Sequence, residues 1–98
     1  MKYEWNENKR EVNLAKHGID FHCLDDFKWD TAVKTVDDRR DYDEQRWVAF
    51  GFIGSRLYVL VYTLRFEIIR VISLRKANDR EEKQYEKETR PYFPKRLG

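Results

Sequence analysis

The longest hydrophobic stretch of the chain covers residues 47–76 and is interrupted twice. Three segments rich in Val, Ile, Phe and Tyr lie at about 47–53, 56–64 and 67–75. The first break, Gly54-Ser55, suits a two-residue hairpin, because glycine can take the positive φ that begins a type II′ turn. The second break, at 64–66, is short enough to force an antiparallel return. This pattern predicts a three-stranded antiparallel meander.

The residues before the meander predict two helices and one further strand. A first helix is expected over 7–17, because Asn6 is a good N-cap and Gly18 suits the position after a helix. A second short helix, capped by Asp20, is expected at about 21–28. Alternation over 31–36 predicts a fourth strand that joins the sheet, and Tyr3-Glu4-Trp5 is compatible with a short edge strand.

A capping box marks the helix that follows the meander. Asn78 has the position of the N-cap and Glu81 that of the third helical residue, so a helix is expected from there to about Thr89. Pro91 ends it. We therefore expect one α+β domain over 1–90, with an antiparallel four-stranded sheet, two N-terminal helices and one C-terminal helix, followed by a tail at 91–98.

Composition limits the class of protein. Charged residues make up 39% of the 98 residues, and no apolar run approaches the roughly 20 residues of a membrane span. The N-terminus lacks the apolar segment of a signal peptide, and the single cysteine, Cys23, has no internal partner for a disulfide. These features predict a cytoplasmic protein. Residues 46–98 carry 12 Lys and Arg against 6 Asp and Glu, which is compatible with a polyanionic partner.

The last predicted strand carries cations among apolar residues. In a regular strand Arg70 and Arg75 have opposite parity and point to opposite faces of the sheet. A β-bulge near Ser73 would change this. An arginine in a strand costs free energy unless it is paired or lies at the rim, so what these arginines face is the functional question.

The available side chains exclude several chemistries and permit one. No Gly-rich phosphate loop, zinc-ligand set or GxSxG motif is present. Arginines, lysines, carboxylates and two histidines suffice for metal-free RNA cleavage, in which the 2′-OH attacks the adjacent phosphate. That reaction needs a base, an acid and cations for the charge that develops on the phosphate.

The candidate residues each have a structural alternative. Arg65, Arg70 and Arg75, with Lys76, are candidates for a phosphate site, or are structural through pairs with Glu67, Glu81 or the loop at 37–44. His17, at a helix end, is a candidate acid or base, or a favourable charge at the helix dipole. Glu81 is a second candidate for proton transfer.

The order of short motifs resembles the BrnT family. The matching residues are Trp5-Asn6-Glu7-Asn8-Lys9, Asn13-Leu14, Lys16-His17-Gly18, Phe21, Arg40-Asp41-Tyr42, Glu44, Arg46-Trp47, Gly51, Tyr62-Thr63, Arg65, Arg70-Val71-Ile72-Ser73, Arg75-Lys76-Ala77, Glu81 and Tyr85. The resemblance covers about residues 3–88. Asp43 and Leu74 depart from the usual glycine and alanine, and neither change removes a charged group.

The resemblance implies the toxin of a type II toxin–antitoxin pair with a RelE-like fold. Such a toxin is a ribonuclease that arrests translation and is neutralised by a BrnA antitoxin. The antitoxin binds operator DNA through a ribbon-helix-helix domain, which gives a hetero-oligomeric complex. We expect a metal-independent endoribonuclease without a cofactor. The alternative is a non-catalytic RNA- or protein-binding module. The expected catalytic residues are His17, Arg65, Arg70, Arg75 and Glu81, and the expected RNA-binding residues are Lys16, Arg40, Lys76 and Tyr85.

Overall fold

The computed structural model describes residues 1–38 and 44–90. In chain order its elements are β1 (Tyr3–Trp5), α1 (Glu7–His17), 3₁₀ helices at Phe21–Asp26 and Trp29–Thr31, β2 (Val33–Asp37), β3 (Arg46–Ile53), β4 (Arg56–Arg65), β5 (Ile68–Lys76) and α2 (Asp79–Thr89). The strands form one five-stranded sheet in the order β1-β5-β4-β3-β2. The predicted tail at 91–98 lies outside the described residues, and so does most of the loop before β3.

The predicted four-stranded antiparallel sheet is wrong, because β1 adds a fifth strand that runs parallel to β5. Ile69 N donates to Lys2 O at 2.9 Å, and Trp29 Nε1 donates to the hydroxyl of Tyr3 at 2.7 Å, so both neighbours of β1 hold it. The sheet is therefore mixed. A three-residue strand carries too little pattern to predict a partner that lies 66 residues further along the chain.

The second predicted N-terminal helix is also wrong in type and length. Residues 21–26 form a 3₁₀ helix, capped by Asp20, which accepts from His22 N at 3.0 Å. The chain is already extended at Phe27, which bridges to Ile53, and Lys28 N donates to Phe52 O at 2.9 Å. These bonds to β3 end the helix at Asp26 and lead the chain along the sheet. One α-helix thus precedes the sheet hairpins and one follows them.

The local signals at helix ends and at the first hairpin are confirmed. Asn6 accepts from the backbone N–H groups of Asn8 and Lys9, and Gly18 takes φ 71° just after α1. Both halves of the capping box of α2 are formed. Gly54 takes φ 62° in the two-residue turn between β3 and β4. Among the described helices none is long and apolar enough to cross a membrane.

Each face of the sheet has its own core. Paired residues of antiparallel strands point to one face, so Leu60 and Leu74 lie on the same side, together with the buried residues of the first 3₁₀ helix. We call this side the 3₁₀ face. Phe27 lies against Gly51 there, and a Cβ on Gly51 would approach its ring to 2.4 Å. The opposite side, here the α2 face, has a smaller core that includes Leu57 and Val59 and is completed by Tyr85 of α2.

Candidate functional site

A β-bulge in β5 places Arg65, Arg70 and Arg75 on one side of the sheet. Val61 pairs with Ser73 and Tyr62 with Val71, so Ile72 is left without a partner and shifts the parity of the residues that follow. Arg65 belongs to the same side, because its partner Ile68 shares the parity of Arg70. In a regular strand Arg70 and Arg75 would point to opposite faces, and a bulge near Ser73 was expected to change this. The bulge is present, and all three arginines lie on the α2 face.

Arg75 and Glu81 form a forked ion pair at the start of α2. Two guanidinium nitrogens donate to the two carboxylate oxygens, each at 2.8 Å. The carboxylate also accepts from Asn78 N at 2.9 Å as part of the capping box. Hydrogen bonding from Arg75 lowers the pKa of Glu81 despite its partial burial. The carboxylate is therefore ionised at neutral pH and holds the guanidinium in a fixed plane.

α1 brings His17 to the same place because Asn13 fixes this helix to the edge of β5. The buried amide of Asn13 donates to Leu74 O at 2.8 Å and accepts from Leu74 N at 3.1 Å. It also donates to Ile19 O at 3.1 Å. β1 pairs only with residues 69–71, so the Asn13 side chain satisfies strand-edge groups that β1 does not reach.

The electrostatic surroundings keep His17 neutral. Partial burial lowers the pKa of its imidazole, and the positive charges of Lys16 and Arg75 lower it further. The ordinary pKa of histidine is about 6.5, so a lowered value leaves the ring uncharged at pH 7. A neutral imidazole can accept a proton. The predicted residues His17, Lys16, Arg75 and Glu81 thus lie together, and we call them the His17 cluster.

Arg65 and Arg70 lie at the other end of the α2 face. Four residues, one of them bulged, lie between Arg70 and Arg75, so the two are about 15 Å apart along the strand. Arg70 donates to Glu4 of β1 at 2.6 Å, and Arg65 makes two bonds with Glu44, at 3.0 and 2.6 Å. Hydrogen bonding from Arg65 lowers the pKa of Glu44. These arginines therefore do not contact the His17 cluster.

Beside Arg70 lies a buried hydroxyl that has no hydrogen-bond partner in the described part of the chain. It belongs to Thr63, which is 4% exposed and pairs with Arg70. An unpaired buried hydroxyl costs free energy. In residues 1–38 and 44–90, no three His, Cys, Asp or Glu residues are close enough together to hold a metal ion.

The remaining predicted RNA-binding residues are dispersed. Lys76 is exposed but points to the 3₁₀ face, because it pairs with Tyr58. Tyr85 donates its hydroxyl to Thr31 O at 2.7 Å and packs edge-on against Phe52, which gives it a structural contact. These two rings line part of an open groove of about 880 Å³ between α2 and the sheet. Arg40 lies outside the described residues.

Sequence reasoning missed Asn13, Glu4 and Phe66 as residues of interest. In the sequence Asn13 stands out only as part of the Asn13-Leu14 family motif, and nothing in the helix pattern indicates a bond to a strand 61 residues away. Glu4 was missed as the partner of Arg70 because β1 was left out of the predicted sheet. Phe66 is 97% exposed at the tip of the hairpin between β4 and β5. Two of the partners expected for structural arginines do form ion pairs, Glu81 with Arg75 and the loop residue Glu44 with Arg65.

Comparison with protein families gives this arrangement a biological context. Residues 5–81 match the family model of the ribonuclease toxin BrnT of type II toxin–antitoxin systems. The chain belongs to the BrnT family. The matched range begins in β1 and ends at Glu81, so it contains the whole His17 cluster together with Arg65 and Arg70. No curated protein gives a significant match.

Membership of the BrnT family defines the class of activity and the kinds of partner. A ribonuclease toxin acts on RNA, and a type II system pairs the toxin with an antitoxin protein. Most of α2, including Tyr85, lies beyond the family match.

Proposed function

We propose that this BrnT protein is a metal-independent endoribonuclease in which His17 is the general base and Arg75 binds the cleaved phosphate. The observation that carries the proposal is the position of a neutral histidine within the electric field of an oriented arginine. The base accepts a proton and the cation stabilises negative charge, which are two of the requirements of RNA cleavage.

In the proposed reaction the 2′-oxygen attacks the adjacent phosphorus while His17 accepts the proton of the 2′-OH. The bond from phosphorus to the 5′-oxygen breaks, and this oxygen takes up a proton as it leaves. The products are a 2′,3′-cyclic phosphate and a free 5′-OH. Arg75 stabilises the charge that builds up on the phosphate oxygens, and this is the term expected to contribute most to the rate.

The other predicted site residues have supporting roles in this proposal. Glu81 is ionised and holds Arg75, so we assign it to the orientation of that guanidinium. Its predicted part in proton transfer stays a prediction. Arg65 and Arg70 would bind phosphates further along the RNA, because about 15 Å separates Arg70 from Arg75. Exposed Lys16 would add positive charge beside the cleaved bond.

Lys76, Tyr85 and Arg40 stay predicted RNA-binding residues in this proposal. Lys76 is exposed on the opposite face from Arg75, so it would contact RNA that passes around the edge of the sheet. Tyr85 would act by holding α2, and with it Glu81, against the sheet.

We also propose that the nuclease arrests translation in the cytoplasm and that a BrnA-like antitoxin neutralises it. That antitoxin would bind operator DNA through a ribbon-helix-helix domain, and toxin and antitoxin would form a hetero-oligomer. The support is the toxin–antitoxin family to which the chain belongs. Growth arrest on expression, relieved by co-expression of the neighbouring reading frame, tests this part directly.

An RNA cleavage assay in the presence of EDTA tests the proposed chemistry. We expect the wild type to leave 2′,3′-cyclic phosphate ends, and His17→Ala and Arg75→Ala to lose about 10² to 10⁴ in rate. His22→Ala is the matched control, since His22 is exposed, hydrogen-bonds with Asp20 and contacts the ring of Trp5 edge-on. Equal loss in the His22 variant, or cleavage that EDTA abolishes, would contradict the proposal.

A non-catalytic binding module is the second candidate, and one observation favours it. Arg65, Arg70 and Arg75 are all held in ion pairs, as expected for structural arginines. Binding of RNA by the wild type without any cleavage, on free RNA and on ribosomes alike, would favour this function over the nuclease.

A further inference from the structure

The hairpin between β4 and β5 presents an aromatic ring at its tip. Arg65 pairs with Ile68, so Phe66 and Glu67 form a two-residue loop. Both take positive φ, 51° and 70°, the combination that defines a type I′ turn. Phe66 is 97% exposed, and the neighbouring Leu64 is 50% exposed. The most exposed large hydrophobic residue of the described chain therefore lies in a left-handed backbone conformation.

Folding alone does not account for a phenylalanine at this position. Asn-Gly and Asp-Gly favour a type I′ turn, because positive φ is easy for them and strained for a residue with a bulky side chain. A ring that is 97% exposed also gains almost no stabilisation from burial. The turn thus carries backbone strain and an exposed ring at the same position. Both features make sense if the ring is used by a binding partner.

The charges around the tip indicate how such a partner would be held. Arg65 is paired with Glu44 and Arg70 with Glu4, so the four charges cancel. Any phosphate bound by Arg65 or Arg70 therefore competes with these carboxylates, so this end of the α2 face attracts a phosphate chain less strongly than unpaired arginines would. Stacking of a base on an exposed ring needs no net charge, and it accepts any of the four bases.

The tip also lies in line with the His17 cluster. β5 leads from Phe66 to Arg75 on the α2 face, over about 25 Å. A single strand of RNA placed on Arg75 could follow this strand and reach the tip with a nucleotide remote from the cleaved bond. Single strands are commonly held in this way, by cations at some nucleotides and aromatic rings at others.

We propose that Phe66 is a stacking platform for a base of single-stranded RNA, remote from the bond that is cleaved. This inference rests on the proposed nuclease function and extends it by one binding subsite. It makes Phe66 a determinant of affinity for long RNA, with no part in the chemical step.

Binding to an oligonucleotide that cannot be cleaved tests the platform. The probe is a fluorescent 20-nucleotide 2′-O-methyl RNA, which has no free 2′-OH, and the readout is fluorescence anisotropy. Phe66→Ala should weaken binding about tenfold, the loss expected for one stacked base, whereas Phe66→Trp should retain it. The slope of log affinity against log salt should not change in Phe66→Ala. In Arg75→Ala, which removes a phosphate contact, the slope should become less steep by about one.

Two turn variants separate the ring from the backbone that presents it. Phe66→Asn and Glu67→Gly each place a residue that tolerates positive φ in the loop, so both should raise the melting temperature by a few degrees, about 2 to 6 °C. Only Phe66→Asn removes the ring. We expect it to bind the probe about tenfold more weakly, and Glu67→Gly, which loses a negative charge, to bind at least as tightly as the wild type. A more stable protein with weaker RNA binding is not the signature of a structural role.

Several results would overturn the platform. They are equal affinity of Phe66→Ala and the wild type, equal losses in Phe66→Asn and Glu67→Gly, or a wild type that does not bind the probe. Unchanged RNA binding by Phe66→Ala with weakened antitoxin capture would assign the ring to a protein contact. Failure of the nuclease proposal is recognised separately, by the absence of EDTA-resistant cleavage by the wild type.

Discussion

The bond between Asn13 and β5 gives the sharpest test of the structure, through the variant Asn13→Ala. The side chain is 5% exposed and makes three hydrogen bonds to backbone groups, two of them to Leu74. Alanine removes all three and leaves the buried N–H and C=O of Leu74 without partners. The substitution leaves the charge of α1 unchanged and favours its helical conformation.

The size of the effect follows from these contacts. Three net hydrogen bonds contribute about 3 kcal/mol, and the buried backbone groups of Leu74 left unpaired add about 1 kcal/mol or more. The better helix propensity of alanine returns about 0.6 kcal/mol. The expected loss is therefore about 3 to 4 kcal/mol in the free energy of unfolding. That is a large share of the roughly 5 to 15 kcal/mol that stabilises a domain of this size.

Urea unfolding followed by tryptophan fluorescence measures this loss. We expect the midpoint to fall by roughly 2 M at an unchanged slope. Val12→Ala is the matched control on the same helix, since Val12 is 56% exposed, and it should change stability by less than about 0.5 kcal/mol. Asn13→Asp keeps an acceptor for Leu74 N but buries a carboxylate beside two carbonyl oxygens, so its loss of stability relative to the wild type should be larger at pH 7 than at pH 4.

A loss below about 1 kcal/mol in the free energy of unfolding of Asn13→Ala would refute the reasoning. Removing the three hydrogen bonds of this buried side chain should cost more than that. The position of His17 depends on the same bonds, since α1 is fixed to the sheet through them. We therefore also expect the residual folded Asn13→Ala protein to cleave RNA more slowly.

Four further outcomes are expected. Gly51→Ala should destabilise by about 1 to 3 kcal/mol in urea unfolding, because its Cβ would approach the Phe27 ring to 2.4 Å, and Phe27→Leu in the same chain should recover part of the loss. Thr63→Val should be neutral or stabilise by up to about 1 kcal/mol, since its buried hydroxyl has no partner in the described chain; a clear loss would reveal one. The pKa of His17 is lowered, so kcat/KM should rise with pH through a midpoint below the ordinary histidine pKa, and His17→Ala should lose this limb. The pKa of Glu81 is also lowered, so its stabilisation is full above about pH 4.5 and is lost as pH falls through the folded-state value; Glu81→Gln should flatten that part of a stability–pH curve.

Sequence reasoning succeeds here where a structure depends on neighbouring residues. The turn at Gly54 and the capping box at Asn78 need only a few residues in the right order, and both are formed. The aliphatic content of residues 47–76 is sufficient to indicate a meander. For the same reason, the Glu81 partner of Arg75 lies within reach of sequence reasoning, because six residues separate the two.

It fails where a pairing depends on distant parts of the chain. The pairing of β1 with β5 and the bond from Asn13 to Leu74 each join residues that are more than 60 positions apart in the sequence. No periodicity of the sequence indicates which strand edge is left open. The bulge at Ile72 can be predicted from the sequence only in part. Its effect on Arg70 and Arg75 follows from parity, but its presence depends on how β4 and β5 twist together.

The pairing of β1 with β5 has a consequence for co-translational folding. The first strand to be synthesised pairs with residues 69–71, and the Glu81 partner of Arg75 comes ten residues later still. At 5 to 20 residues per second, the chain spends seconds with β1 unpaired and the His17 cluster incomplete. A nascent chain is therefore expected to lack nuclease activity until translation has passed Glu81. Chains truncated before residue 69 should show no protection of β1 and α1 against hydrogen exchange.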